Sequence, residues 1–423
     1  MATRAAAQKK PRPKPGPRFR SYDGQKKAVK QKPVEYNILL TATLCLLAFG
    51  AVMVYSASSA RDALQANDAG TGFLVRYVIY GAIGLVGLTF IARRGLDGLA
   101  KITAPLLAVS FGLLVAVKLP GIGVNVNGAQ RWIGAGPLQF QPSELAKLAL
   151  VLYAVKFLVD KPKSVREPRL LVPLLAVFGM AALLVATQPD LGTALVVAFT
   201  LICLLVAAGI PMRFLLIGMG IGALLVIVFA IMEPYRRARL TAFINPWDHA
   251  ATSGFQAVQG QIALGSGGLT GVGVGQSVQK AFYLPEAHTD FILAVIGEEL
   301  GVLGVSALLA LYGLLAYAGL RVAKAARGQY AQLLAAGLTS LILCQALLNT
   351  FAVLGLAPLT GVPLPFISYG SSNLLVLLAA MGLLLNVADG GRVKYKVVEG
   401  SKGARRHRSG GNSRSRGSGA RGR

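Results

Sequence analysis

Charge is scarce in this chain, and acid scarcest: 14% of its 423 residues are Asp, Glu, Lys or Arg, and only 17 are acids. Soluble domains carry roughly a quarter of their residues charged, so a water-facing surface of ordinary composition is excluded. Cysteine is as rare. The three, Cys45, Cys203 and Cys344, all lie in apolar runs, which excludes a disulfide framework and a thiolate metal site and leaves three small hydrophobic side chains. What the chain has instead is apolar residue, 54% of the total with a mean hydropathy of +0.59, so a bilayer is its natural solvent.

The net charge of +26 raises the question of nucleic acid, and its distribution answers it. Residues 1–33 hold 11 Lys/Arg against Asp23, and residues 391–423 hold 11 against Glu399, so the tails carry +20 and the other 357 residues +6. Both tails are rich in Pro, Gly, Ser and Lys/Arg with little to bury, and are expected to be disordered. Basic flanks beside membrane spans are held on the cytoplasmic side and attracted to anionic membrane lipids. No aromatic platform accompanies the charge, so nucleic acid is not expected as a partner.

Apolar stretches long enough to span occur near 36–55, 73–92, 101–118, 144–159, 169–187, 191–208, 213–232, 291–320, 330–354 and 368–388. The fold class is therefore an all-α membrane protein of about ten transmembrane helices spanning 34–390, between two basic tails. The first stretch reads as an anchor, being longer than a usual signal core. With both termini cytoplasmic, Arg93, Arg94 and Lys101 fall in one inner loop, Lys161, Lys163, Arg166 and Arg169 in a second, and Arg321, Lys324 and Arg327 in a third. That satisfies the positive-inside rule. The outer face then carries loops near 119–143, 233–290 and 355–367; the second, of 58 residues between spans seven and eight, is long enough to imply a function. Its Gly-rich run over 263–275 permits close backbone approach; no strand precedes it, as a phosphate-binding loop would require.

A charge inside a span is costly, so each one needs a partner or a purpose. Glu144 and Lys147 follow Pro142-Ser143 three residues apart on one helix face, as an ion pair or as the charged wall of a cavity. Gln188-Pro189-Asp190 breaks two spans and offers a helix cap. Glu298 and Glu299, adjacent and well inside a span, cannot face the same way and read as structural. Tyr283-Leu284-Pro285-Glu286-Ala287-His288-Thr289-Asp290 closes the long loop and runs into a span. Asp290 there sits at a helix N-terminus that favours its ionised form, and is the candidate general base, with His288 the competing base by its intrinsic acidity. Lys147 is expected within ion-pair reach of Asp290.

These segments resemble the SEDS family of polytopic bacterial cell-wall polymerases over about 36–390. The resemblance rests on Asn127-Gly128-Ala129-Gln130-Arg131-Trp132-Ile133-Gly134, Gln141-Pro142-Ser143-Glu144, Gln188-Pro189-Asp190-Leu191-Gly192-Thr193, Phe243-Ile244-Asn245-Pro246-Trp247, Leu284 to Phe291, Gly297-Glu298-Glu299-Leu300-Gly301, and Pro363-Leu364-Pro365-Phe366-Ile367-Ser368-Tyr369-Gly370. So many motifs in order are specific. The Phe-Ile-Asn-Pro-Trp and Tyr-Leu-Pro-Glu-Ala-His-Thr-Asp forms resemble the division (FtsW) type more than the elongation (RodA) type. Two positions depart from the usual pattern: Gln130, where a second Arg is frequent, and Ser371, where a second Gly follows Gly370.

The resemblance implies a peptidoglycan glycosyltransferase that polymerises lipid II outside the cytoplasmic membrane, at the division septum for the FtsW type. It implies Asp290 as catalytic base, and a substrate site drawn from Arg131, Trp132, Glu144, Lys147, Gln188, Glu286, His288, Arg236, Arg237 and Ser368, with Arg239 a further cation for the anionic leaving group. Its implied partners are a class B penicillin-binding protein transpeptidase and other divisome proteins. No cofactor is certain; magnesium or manganese would suit hard oxygen ligands, but no dedicated protein cage is legible. A lipid II flippase is the rival. It would concentrate its polar residues near the midplane, a picture only Glu298 and Glu299 favour.

Overall fold

A computed structural model describes residues 32–64, 71–126, 129–135, 138–232, 234–280 and 283–391. The expected tails lie outside them but for residues 32–33 and 391, and so does Asn127-Gly128. In chain order the elements are α1 (Val34–Leu64), α2 (Gly72–Arg93), α3 (Leu99–Ala116), β1 (Gly123–Val126), β2 (Ala129–Ala135), β3 (Leu138–Phe140), α4 (Pro142–Asp160), α5 (Val172–Ala186), α6 (Leu191–Ala207), α7 (Met212–Met232), α8 (Pro234–Ile244), α9 (Phe255–Ser266), α10 (Ile292–Ala325), α11 (Gln329–Val353) and α12 (Ser371–Ala388).

Every apolar stretch picked out above is helical. Among the described residues seven helices are long and apolar enough to cross a membrane: α1, α2, α3, α5 with the turn before it, α10, α11 and α12. The α6 helix and the Met212–Val228 part of α7 are apolar but shorter. The remaining helix, α4, carries Glu144, Lys147, Lys156 and Asp160. Its side chains are nonetheless almost all buried, as are those of α11 and α12, so these three helices form the centre of the bundle. Around them, α7 turns Leu216, Ile217, Leu224 and Leu225 outward, the pattern of a helix solvated by lipid.

Two features depart from a plain helical bundle. Residues 123–140 form a three-stranded antiparallel sheet in the order β1-β2-β3, with Val124 opposite Trp132 and Ile133 opposite Phe140. The long loop between α7 and α10 carries helices of its own, α8 and α9.

The Gly-rich run within this loop is folded onto a break in α10. At Gly301 the backbone takes φ 63°, ψ −162°, a region open essentially to Gly alone. The break frees backbone groups that lipid could not hydrate, and the loop pairs with them. The Glu298 and Glu299 carbonyls accept from the amides of Val272 (3.0 Å) and Gly273 (3.0 Å), while the amides of Val302 and Leu303 donate to the carbonyls of Gly268 (3.0 Å) and Leu269 (3.2 Å). A Cβ on Gly301 would meet the Gly271 nitrogen and the Leu269 carbonyl. Gly301→Val is therefore expected to destabilise the protein by about 1–3 kcal/mol from backbone strain, with the clash in addition, seen as a lower thermal midpoint in detergent. An unchanged midpoint would mean that the loop does not need the break.

Candidate active site

The three loops expected on one face do come together. They meet α1 and α2 around a cavity of about 890 Å³. The sheet contributes Arg131, Trp132 and Gln139, α8 contributes Arg239, and α2 contributes Phe73 and Arg76. The segment Leu284–Asp290 lines the cavity beside Thr360, Gly361, Pro363 and Tyr369.

Asp290 is fixed from behind. The Asn349 amide on α11 donates to the Asp290 carbonyl (2.7 Å) and to the Val362 carbonyl (2.8 Å), tying the start of α10 to the 360s loop. Thr289 Oγ1 lies within hydrogen-bond reach of Asp290 Oδ1 (3.2 Å) and Glu286 Oε2 (3.0 Å) and can donate its one proton to either, while Asp290 Oδ2 faces Gly361, where a Cβ would stand 3.8 Å away. Gly361 thus leaves room beside the carboxylate that any side chain would take up. No side chain caps α10, so capping does not account for an Asp at this position.

The electrostatics run against the helix-terminus expectation. Burial, and then the neighbouring Glu286 carboxylate, lift Asp290 from 3.8 to about 6, against the smaller opposing effects of its hydrogen bonds and of Arg239. Desolvation outweighs the helix dipole because the cavity walls withhold water from the charge. Glu286 itself adopts a left-handed backbone, φ 57°, a strained conformation that structures tend to keep at functional sites. The result is a carboxylate that is ionised at neutral pH yet binds a proton more readily than an exposed Asp.

The sequence has relatives of the same construction. The family model described as "Cell cycle protein", covering FtsW, RodA and SpoVE, matches residues 37–392. The chain belongs to the FtsW/RodA/SpoVE family. It is 42% identical over 362 residues to a probable peptidoglycan glycosyltransferase FtsW of Trichlorobacter lovleyi, covering 84% of this chain and 94% of that one. It is 40% identical over 353 residues to stage V sporulation protein E of Bacillus subtilis, covering 83% and 96%. Among solved structures, it resembles a chain of a peptidoglycan synthase complex described as coordinating polymerisation and crosslinking, with TM-score 0.67, 31% identity and coverage of 83% and 96%. Thermus thermophilus RodA matches with TM-score 0.60, 31% identity and coverage of 83% and 95%.

Within this family fold, the expected site residues divide. Arg131, Trp132, Glu286, His288, Asp290 and Arg239 line the cavity. Glu144 and Lys147 do not. They pair with each other at 2.9 Å, both buried, and the Lys147 ammonium also donates to Gln345 Oε1 (2.8 Å). Among the described residues no ion pair joins Lys147 to Asp290. The expected bridge is therefore replaced by an indirect link, because in the packed core the nearer Glu144 and Gln345 take up the ammonium's donors. Gln345 in turn donates to Asn373 Oδ1 (3.0 Å), and Asn373 lines the cavity, so the Lys147 pair supports its floor.

Gln188 turns its amide to the Leu114 carbonyl (2.9 Å), but its own carbonyl accepts from Arg131 Nε (2.9 Å), with Arg131 Nη2 on the Pro189 carbonyl. It holds a cavity cation in place without lining the cavity. Ser368 accepts the Leu364 amide (2.8 Å) and shapes the turn before Tyr369. Arg237 is exposed and off the cavity, because successive residues of α8 point in different directions and Arg239 takes the inward one. Arg236 lies on α8, but its side chain is outside the described residues. Asp190 caps α6 through the Thr193 amide (3.1 Å).

The structure adds Phe73, Arg76, Lys280 and Tyr369 to the cavity. Arg76 carried a legible signal, since it is the one charge inside α2 before its last residue. Among the described residues no cluster of three or more His, Cys, Asp or Glu could hold a metal ion. The cavity's carboxylates, Glu286 and Asp290, fit at most a cation that a substrate's phosphates also ligate.

Proposed function

We propose that this multi-pass membrane protein is a peptidoglycan glycosyltransferase of the FtsW type, polymerising lipid II into glycan strands, with Asp290 as general base. The observation that carries the reading is Asp290 itself: a carboxylate held near pH 6 at the end of a membrane helix, in a cavity that also presents Arg131 and Arg239. Relatives named as probable peptidoglycan glycosyltransferases support this class of reaction. Asp290 takes the proton of the acceptor sugar's 4-hydroxyl as its oxygen attacks the donor's anomeric carbon with inversion. The bond from that carbon to the phosphate oxygen breaks, and undecaprenyl diphosphate leaves with its negative charge facing the arginines. A diphosphate leaves as a stable anion, so one base suffices and no second carboxylate need act as acid.

On this reading the cavity opens outside the cytoplasmic membrane, both termini are cytoplasmic, and a class B penicillin-binding protein cross-links the product beside other divisome proteins at the septum. The transport alternative loses its main support. Glu298 accepts from Ser277 Oγ and from the Val278 amide (3.0 Å), and Glu299 accepts from Ser56 Oγ (2.6 Å) and Lys280 Nζ (2.8 Å), so both acids are committed to structure.

The test is purified protein with lipid II, alone and with its transpeptidase, scoring glycan polymer and flipped lipid separately. Flipping without polymer in either case would replace the enzyme reading by transport. The acid limb of kcat is a second check. Ionised Asp290 is the active form, so the rate is expected to fall about tenfold per pH unit below about 6. Glu286→Gln removes the repulsion that raises Asp290 and should move the limb to lower pH. A limb that stays in place in Glu286→Gln would assign it to another group.

A further inference from the structure

We propose that Arg76 binds the diphosphate of the acceptor substrate, and that the rings of Phe73, His288 and Tyr369 carry the sugars between it and Asp290. This rests on the glycosyltransferase reading and assigns a part of the substrate to residues outside the reacting centre.

The reaction needs two lipid diphosphates in one cavity. The donor's is bonded to the carbon under attack, so it lies beside Asp290. The acceptor's is at the far end of the disaccharide from the hydroxyl that Asp290 deprotonates. Two separated cationic positions are therefore required. Arg239 suits the first, since it lines the cavity and its charge acts on Asp290. Arg76 suits the second.

Three observations support that placement. Arg76 lines the cavity together with Tyr369, its charge acts on the Tyr369 phenol, and among the described residues no carboxylate forms an ion pair with it. No such ion pair cancels its charge, which leaves the guanidinium open to bidentate phosphate binding. Its neighbours Val75, Val78 and Ile79 are exposed and apolar while Phe73 and Arg76 face the cavity, so this end of α2 borders lipid on one side and the cavity on the other. A ligand with an anionic head and a hydrocarbon tail fits that border better than a water-soluble anion does. Between Arg76 and the catalytic end, the Phe73 ring stands 4.3 Å from His288 and 5.0 Å from Tyr369, centroid to centroid. The Tyr369 amide is bonded to the His288 carbonyl (3.0 Å), so these rings form one wall, two residues from Asp290.

The test compares wild type with Arg76→Gln, Arg76→Lys and Tyr369→Phe in the polymerisation assay, and measures lipid II binding to the same proteins carrying Asp290→Asn, where no turnover interferes. Arg76→Gln is expected to raise KM and weaken lipid II binding about tenfold, with kcat and the acid limb of the pH profile unmoved. Arg76→Lys should recover part of the loss, and Tyr369→Phe should show a smaller form of it. Inorganic diphosphate should not displace lipid II at concentrations where undecaprenyl diphosphate does. Unchanged KM and binding in Arg76→Gln would overturn the assignment, as would equal competition by inorganic diphosphate. Absence of polymer from wild type would sink the enzymatic reading, while the binding comparison would still decide whether Arg76 holds a lipid diphosphate.

Discussion

Asp290→Asn is expected to lower kcat for glycan polymerisation by about 10²–10⁴-fold, with little change in KM. Asn has the shape of Asp and can still accept from Thr289 Oγ1, so the loop and the Asn349 bond to the Asp290 carbonyl should survive. What is lost is the group that accepts the proton, an interaction made in the transition state and not in the ground state. Asp290→Ala should behave alike, with a small added cost for the empty space. A normal rate from a folded Asp290→Asn protein would remove Asp290 from the chemistry and leave His288 as the base. The structure argues against that outcome. His288 is buried, with its ring packed against Phe73 and near Tyr369, an arrangement better suited to forming a wall than to meeting a hydroxyl. His288→Gln is accordingly expected to cost less than Asp290→Asn.

Lys280→Met should cost about 3–5 kcal/mol of stability, the largest effect expected away from the chemistry. The Lys280 ammonium reaches Glu299 Oε1 at 2.8 Å and Ser56 Oγ at 3.1 Å, and both residues of the pair are almost fully buried. Removing the cation leaves the Glu299 carboxylate with Ser56 alone, within a membrane-spanning helix, where a bare charge is costly. The thermal midpoint in detergent reads this directly. Adding Glu299→Gln to Lys280→Met should restore much of the loss, because no unpaired charge then remains. Equal destabilisation in the single and double variants would show that the methylene packing of Lys280 matters and its charge does not.

Much of this protein was legible along the chain, for a reason that the pair just described illustrates. A bilayer penalises any charge or unpaired backbone group, so the few charges that persist in apolar sequence mark structure or function. Glu298 and Glu299 read as structural from their depth and adjacency alone. Asp290 read as the base from its place at the end of a long loop, beside Glu286 and His288. The sheet over 123–140 also had a signal, since Asn127-Gly128 between Val-Asn-Val and Ala-Gln-Arg-Trp-Ile is a hairpin pattern, but it was submerged in an otherwise helical chain. For the acidity of Asp290 the sequence points in the wrong direction. A helix N-terminus is visible in sequence, whereas the burial and the Glu286 repulsion that outweigh it are not.

The sequence by itself determined the solvent and the helices and singled out Asp290 as the candidate base, because apolar run length and costly charge are local properties that the bilayer converts into structure. Only the tertiary structure decided which cations share a space with that base. Lys147 looked like its partner and is instead engaged by Glu144 and Gln345, while Arg76, more than two hundred residues away in the chain, stands on the cavity wall. Which side of a helix faces a cavity, and which neighbour reaches a charge first, depends on how segments distant in sequence pack. No periodicity within a single segment carries that information.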